Sequence, residues 1–441
     1  MQILYHAMIP LGILRRDDGP ILRKIQKMTT LRFVREHFRF LAFGFLLTFV
    51  CNFGQTFFIG FYNDPIRVAF NLSNGDFGAL YGLATLCSAG TLIWVGRLID
   101  TVDLRYYTLA TIVFMVFACL LMSVDGGIGL IGMSLYLLRL TGQGLMPHIS
   151  NTSMGRYFES ARGRAISISN LGINLGQIAL PAAAVFLLSR MGWRDSWLYY
   201  AGFLIVVVLP LALAMLKGHR ERHRKWEAEM TVAESQSTSH SRIKHPANIS
   251  ILKDLRFYVV MPGFLAVPIF ATGIFFFQGA LLDAKDWDAE VFATAFAIFG
   301  VTTTLSALAG GWLVDKIGGS LKMLPFINIP FALAVLGIAY GTHALWLPAM
   351  MALMGVSNGL TVIIAGALWP EMYGTKKLGA IRSVTTSIMI FGTAVAPAAL
   401  GYLYDAGVTI AAAFTGFALY IALVTALQIP FVFRARAVAS I

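Results

Sequence analysis

Twelve stretches of this chain are each long and apolar enough to cross a bilayer, and together they leave little sequence for anything else. They lie near 38–62, 77–100, 106–124, 127–150, 163–188, 196–216, 255–281, 291–314, 322–341, 344–368, 380–404 and 409–433. A spanning helix needs about 20 mostly apolar residues, and within hydrocarbon such a run satisfies its own backbone only as a helix. Of the 441 residues, 57% are hydrophobic and 13% charged, against roughly 25% charged in a soluble domain. That much apolar surface cannot be hidden in a water-soluble core. The expected fold is an all-α integral membrane protein with twelve transmembrane helices.

Charge placement gives the orientation. A net charge of +12 would suit nucleic acid, but the basic residues sit in the N-terminal tail and in alternate loops. Of 34 Lys and Arg, 29 fall on the side of the N-terminus. Four (Arg67, Arg190, Arg194 and Lys285) fall on the other side, and Arg139 lies inside a segment. This bias predicts both termini in the cytoplasm of a cell membrane, taken as a bacterial inner membrane. The expected partners are therefore the lipid bilayer and a small molecule, not nucleic acid. The chain divides into a cytoplasmic tail (1–37), a six-helix bundle (38–216), a cytoplasmic linker (217–253), a second six-helix bundle (254–433) and a C-terminal tail (434–441). In the N-terminal tail an apolar stretch, Ile3 to Leu14, precedes the basic residues, the reverse of a secretory signal. Met28 is a second candidate start, and the tail is read as surface-lying or disordered.

Cys51, Cys87 and Cys119 lie in apolar segments without paired spacing, so they read as small buried residues. Four linker histidines, His219, His223, His240 and His245, read as solvated linker. No cofactor or metal is expected.

The two bundles echo each other. Tyr157, Gly163, Gly176 and Pro181 recur as Tyr373, Gly379, Gly392 and Pro397, at an offset of 216. Gly96 and Asp100 recur as Gly311 and Asp315, and Phe57-Phe58-Ile59-Gly60 recurs as Phe276-Phe277-Gln278-Gly279. Two like halves in one membrane chain are the usual plan of a transporter that rocks about a central site.

The loops after segments two and eight carry a family signature. Gly96-Arg97-Leu98-Ile99-Asp100, with Arg105 beyond, and Gly311-Trp312-Leu313-Val314-Asp315-Lys316-Ile317-Gly318 resemble the G-x-x-x-D-[RK]-x-G motif of the major facilitator superfamily. The first copy has Thr101 and Asp103 where a basic residue and Gly belong. The second has Gly319 and Ser320 where basic residues usually follow. The Gly admits close helix approach, and the Asp accepts charge-assisted hydrogen bonds from a basic residue or a helix N-terminus. Gly96, Asp100, Arg105, Gly311, Asp315 and Lys316 are thus candidate gating residues, a latch that holds the inside closed in one state. Arg139, Gly142 and Gly144 resemble the family's pattern in its fourth helix. Arg156-Tyr157-Phe158, Ala161-Arg162-Gly163-Arg164-Ala165, Gly172, Gly176, Pro181 and Gly192-Trp193-Arg194 are similar to the monocarboxylate and oxalate–formate branches. The intramembrane charges of those branches are missing from segments one, eight and eleven. The G-P-x-x-G-G pattern of drug–proton antiporters is missing from segment five.

Arg139 is the one Lys or Arg well inside a segment, and an intramembrane charge usually faces a cavity and has a function. At 100° per residue Tyr136, Arg139 and Gln143 share a face, while His148 lies opposite and reads as structural. No Asp or Glu lies mid-segment. Arg139 is therefore balanced either by an anionic substrate or by backbone carbonyls and water. Ser167, Asn170, Asn174 and Gln177 form a polar stripe on segment five, and Asn52, Gln55 and Thr56 one on segment one. The resemblance places helices one, four, seven and ten around the cavity. The candidate substrate-binding residues are Arg139, Gln143, Tyr136, Asn52, Gln55, Asn170, Asn174, Gln278 and Asn358. Phe57, Phe58 and Phe275 to Phe277 serve as aromatic walls, gates or packing.

The expected function is secondary active transport of a small solute by alternating access, with an organic anion such as a monocarboxylate favoured and a proton or ion as possible coupling partner. Efflux of drug-like or other neutral compounds is the alternative, and a transporter-like membrane sensor the alternative of another class. An enzyme is not expected, and the protein is read as a monomer.

Overall fold

The computed structural model describes residues 19–158, 161–224, 226, 228, 250–374 and 378–434. Their regular elements are all helices, with no strand among the described residues. The first stretch holds α1 (Gly19–Val50), the short helices α2 (Thr56–Gly60) and α3 (Asn63–Ala69), α4 (Asn74–Val95), α5 (Leu104–Ser123), α6 (Gly127–Leu138), α7 (Met146–Tyr157), α8 (Arg162–Phe203) and α9 (Leu209–Met215). The second stretch holds α10 (Leu255–Phe276), α11 (Gln278–Lys285), α12 (Ala289–Ile317), α13 (Ser320–Tyr340), α14 (Trp346–Tyr373), α15 (Leu378–Asp405) and α16 (Ile410–Arg434). Residues 19–37 do not lie apart as a surface tail but run into the first expected segment, because α1 is continuous from Gly19, and residues 1–18 of the expected tail lie outside the described residues.

The sequence sets several helix ends. The Ser73 hydroxyl caps α4 by accepting from the Asp76 amide at 3.0 Å. Asp103 and Asp254 cap α5 and α10 by accepting from the amides of Arg105 (2.8 Å) and Arg256 (2.9 Å). Gly318, at φ 84°, ends α12 in the left-handed conformation that glycine tolerates.

Ten helices among the described residues are long and apolar enough to cross a membrane. One of these, Arg162–Met215, has 54 residues and would measure about 80 Å as a straight helix. It is broken at Gly192, at φ 79° and ψ 175°. The expected fourth segment is absent from the ten. Its residues run through α6, a π-helical turn at Arg139–Leu145 and α7.

Glycines let the helices approach. A Cβ at Gly172 would strike the Phe45 carbonyl and the Thr48 hydroxyl, and one at Gly176 would strike the Asn52 amide, so α8 packs tightly on α1. In the second stretch a Cβ at Gly355 on α14 would strike Thr302 on α12.

The two stretches meet at one end, the end remote from the start of α1. A Cβ at Gly78 or Gly82 on α4 would run into the carbonyls of Pro397 or Ala394 on α15. The Asp405 carboxylate accepts from the amides of Asn74 (3.0 Å) and Gly75 (2.7 Å) and from the Asn74 side chain (3.1 Å). Asn63 donates to the Phe276 carbonyl at 2.7 Å, and Gln278 to the Phe57 carbonyl at 3.1 Å. Phe57 stacks on Phe296 (4.8 Å), Phe61 meets Phe292 (5.9 Å), and Tyr81 lies 4.5 Å from Phe276. Every hydrogen bond between the two stretches, among the described residues, lies in this seam.

Candidate functional site

Segment one is expected as a single helix over 38–62, yet it is interrupted. After α1 comes a 3₁₀ turn at Cys51–Gly54, then Gln55 in an extended conformation (φ −82°, ψ 148°), before α2 begins. A break of this kind frees backbone carbonyls, and inside a membrane it is tolerated only where protein or a cavity satisfies them. Here the satisfying group is Arg139. Its Nη1 donates to the Gly54 carbonyl at 2.9 Å and to Thr56 Oγ1 at 3.4 Å, and its Nε donates to Thr85 Oγ1 at 3.1 Å. The guanidinium lies 5.1 Å from the Tyr81 ring centroid, and the Tyr81 hydroxyl is 2.6 Å from Thr56 Oγ1. Arg139 is 2% exposed, and no carboxylate pairs with it among the described residues. A carbonyl, two hydroxyls and a ring face together replace its water shell.

The opposite wall is the π-turn that begins at Arg139 itself. A Cβ at Gly54 would collide with the Leu138 carbonyl, and Gly142 abuts Gly54 so closely that a Cβ there would stand 2.7 Å from its Cα. The helix break and the π-turn therefore interlock through two glycines. π-turns of this kind are frequent at functional sites.

Seven of the nine candidate binding residues fall into three places. Arg139, Gln55, Gln143 and Asn52 gather at the break. Gln143 is exposed and Gln55 half-buried, while Asn52 is buried and donates to the carbonyls of Thr48 (3.2 Å), Phe49 (2.9 Å) and Ile173 (3.3 Å). Asn170 and Asn174 lie further along the α8 face that also meets α12, where Gly300 packs on Ile178 and Gln177. The side-chain oxygens of Asn52, Asn170 and Gln177 are buried without a protein partner, and such acceptors suit a polar ligand. Asn358 is half-buried on α14 beside the orphaned hydroxyl of Ser357. Two candidates stand elsewhere. Tyr136 donates to Thr91 Oγ1 at 3.0 Å, across to α4, and Gln278 is buried in the seam rather than mid-span.

The gating candidates lie at the other end of the molecule. The Asp100 carboxylate pairs with Arg156 of α7, whose Nη1 also donates to the Ile99 carbonyl at 3.3 Å. His148 Nε2 is 2.9 Å from the Gly96 carbonyl, which accounts for a histidine read as structural. The Arg105 amide serves the cap of α5, and its Nε is buried without a partner. Gly311 has open space around it, and Lys316 lies 4.8 Å from the Trp312 ring. The Asp315 side chain lies outside the described part. Sequence reading missed Glu371, which accepts from the Ser320 amide (2.6 Å) and hydroxyl and so ties α14 to the start of α13. It also missed Thr85 and Gly54 as partners of Arg139. A hydroxyl and a glycine in apolar helices carry no mark of that role.

A multi-pass helical membrane protein with an interrupted helix around a buried cation has the architecture of the transporter class. The sequence pattern of the Major Facilitator Superfamily matches residues 44–283, more than half of the chain. The chain belongs to that superfamily, and its partners are a small-molecule substrate and the surrounding lipid.

The fold is similar to that of the nucleoside transporter NupG, with a TM-score of 0.64 at 13% identity over 90% of this chain and 98% of that one. It is also similar to a POT family transporter in complex with a thioalcohol-conjugated peptide, with a TM-score of 0.65 at 14% identity over 90% and 96% of the two chains. None of the curated proteins compared with the chain matches it in sequence.

Proposed function

We propose that the protein is a secondary active transporter working by alternating access, built as two six-helix bundles, 38–216 and 254–433, between cytoplasmic termini and joined by the 217–253 linker. Dividing the 54-residue span at Gly192 and counting 127–157 as a crossing gives twelve spans. The repeated Phe-Phe-x-Gly copies support the two-bundle reading, because they meet each other in the seam. Gly60 packs on the Phe275 carbonyl, Gly279 packs on Asp64, and Gln278 bonds to Phe57. On this topology the seam is external, and the conformation described is closed outside.

One observation carries the site: Arg139 is buried at the break in the first span and has no carboxylate partner among the described residues. The substrate site then lies between this break and the α8 stripe, where Gln55, Gln143, Asn170 and Asn174 offer polar contacts. The favoured substrate is a small organic anion, because an uncompensated guanidinium raises the local potential. A neutral solute is the second reading, favoured by the protein groups that already hold Arg139. The transporter is read as a monomer, coupled to a proton or another ion, in a bacterial inner membrane.

The test is a thermal-shift screen of the purified protein over monocarboxylates, dicarboxylates, amino acids, sugars and cationic drugs, because a ligand of the native state raises the transition temperature. Counterflow in proteoliposomes follows for each hit. Stabilisation by carboxylates that survives in Arg139→Gln sinks the anion reading, and binding without counterflow points to a membrane sensor.

A further inference from the structure

The linker begins with a column of rings. Residues 219–224 are helical, and His219, His223 and Trp226 fall at i, i+4 and i+7, on one face. His219 stacks on Phe40 of α1 (6.2 Å), His223 on His219 (6.0 Å) and Trp226 on His223 (5.7 Å). Tyr157, the last residue of α7, stands edge-on to all three rings, and its hydroxyl is 2.9 Å from His223 Nδ1. Arg222 lies 4.0 Å from the Phe40 ring, and Arg220 approaches Asp103 at 3.6 Å. His219 is 2% exposed. This part of the linker is therefore docked on the first bundle rather than solvated.

The column ends on Arg156. Its guanidinium lies 5.4 Å from the Trp226 ring while pairing with Asp100 and donating to the Ile99 carbonyl. Arg156 thus joins the gating loop at Gly96–Asp100 to the linker. All of these contacts are with the first bundle. In the conformation closed at the outer seam, Asp100 is engaged within its own half, and Trp226 covers the residue that engages it.

We propose that Trp226 and His223 are positioning residues of the inner gate: the docked linker holds Arg156 on Asp100 and thereby favours the state that is closed outside and open inside. The proposal rests on the alternating-access reading above. Without the ring, Arg156 and Asp100 are free to turn toward the second bundle, and the inner end closes more often. A cation–ring contact of this kind corresponds to roughly a two- to thirtyfold change in an equilibrium.

The experiment uses the full chain in lipid nanodiscs, with Cys51, Cys87 and Cys119 replaced by Ala and spin labels at Gly163→Cys and Ser383→Cys. Gly163 has open space around it, and Ser383 is exposed at the same end of α15. Double electron–electron resonance then reads the ratio of short, inner-closed distances to long ones. Trp226→Ala and His223→Ala should each raise that ratio about two- to thirtyfold, and Trp226→Phe should restore it. Asp100→Asn serves as the reference for a gate that works. If Asp100→Asn moves the ratio and Trp226→Ala leaves it unchanged or lowers it, the linker has no gating role and the proposal falls. A lower melting temperature with unchanged distances assigns the column to folding alone and likewise overturns it. If every variant and the parent show one and the same distance, the alternating-access reading fails together with the proposal.

Discussion

Arg139 is held by the Gly54 carbonyl, two hydroxyls and the Tyr81 ring, and of these the Thr56 hydroxyl also bonds to Tyr81. Replacing it with Ala leaves the Gly54 carbonyl and the Thr85 hydroxyl buried and unpaired, at about 1–3 kcal/mol for each. Arg139→Ala should therefore lower the melting temperature by several degrees even without substrate. Arg139→Lys keeps the charge but not the planar fork, so it should recover only part of that loss and little transport. A melting curve of Arg139→Ala that overlays the parent would show that the break does not depend on the guanidinium. His219 gives a prediction in pH. Burial first, and then the neighbouring Arg222, push its imidazole down to about 4, against the opposing pull of Asp103; His223 and Arg105 also face it and lower it slightly. The folded form therefore stays neutral where the unfolded chain takes up a proton. Linker docking is at full strength above pH 6.5 and weakens as the pH falls from there toward 4, by up to ~3 kcal/mol. The melting temperature of the parent should drop over that window relative to His219→Phe, and parallel pH profiles would contradict the assignment.

At the scale of elements, the interlock of the helix break with the π-turn depends on two glycines. Gly142→Ala places a methyl against Gly54 and the Cys51 carbonyl, and overpacking of this kind typically costs about 1–3 kcal/mol. The expected result is a destabilised protein that loses ligand-induced stabilisation, checked by repeating the thermal-shift screen. The interruption itself was hidden in the sequence. Cys51-Asn52-Phe53-Gly54-Gln55 sits inside an apolar run with no proline, so nothing local marks a change from helix to extended chain. The π-turn is equally silent, since Arg139 to Leu145 keeps its polar and small residues whether it winds with the α or the π repeat. The legible features were those fixed by solvent and by chemistry: the apolar runs, Arg139 as an intramembrane charge, and Asp100 as an acceptor for a basic residue, which the structure supplies as Arg156. The start of the linker misled because histidines in a polar stretch look solvated, and the i, i+4, i+7 spacing of His219, His223 and Trp226 was the available signal, while His240 and His245 lie outside the described residues. Gln278 stands in the seam because its span ends at Phe276, which puts it just past the end of that helix and well beyond mid-span.

Across the whole molecule, the seam between the two stretches, external on the topology proposed above, combines close backbone approach and stacked rings with a few polar contacts, and those polar contacts bear on how firmly it shuts. Gly78 and Gly82 bring α4 onto α15, and Asp405 then reaches the two leading amides of α4. A carboxylate at a helix N-terminus satisfies orphan donors and opposes the positive end of the helix dipole, and losing such a cap costs about 1–2 kcal/mol. That corresponds to a factor of roughly 5–30 in a two-state equilibrium. Because Asp405 and α4 lie on opposite sides of the seam, the whole of that difference bears on outer closure and little of it on the stability of either side alone. Asp405→Ala should therefore leave the melting temperature within a few degrees of the parent while opening the outer end. Spin labels at the exposed positions Val68 and Ala406 should show the longer outer distance gaining by about that factor. Asp405→Asn keeps an acceptor without the charge and should fall between the two. Were Asp405→Ala to lower the melting temperature strongly with no change in the outer distance, the carboxylate would be part of the fold, and the seam would owe its closure to its glycine, aromatic and other hydrogen-bonded contacts.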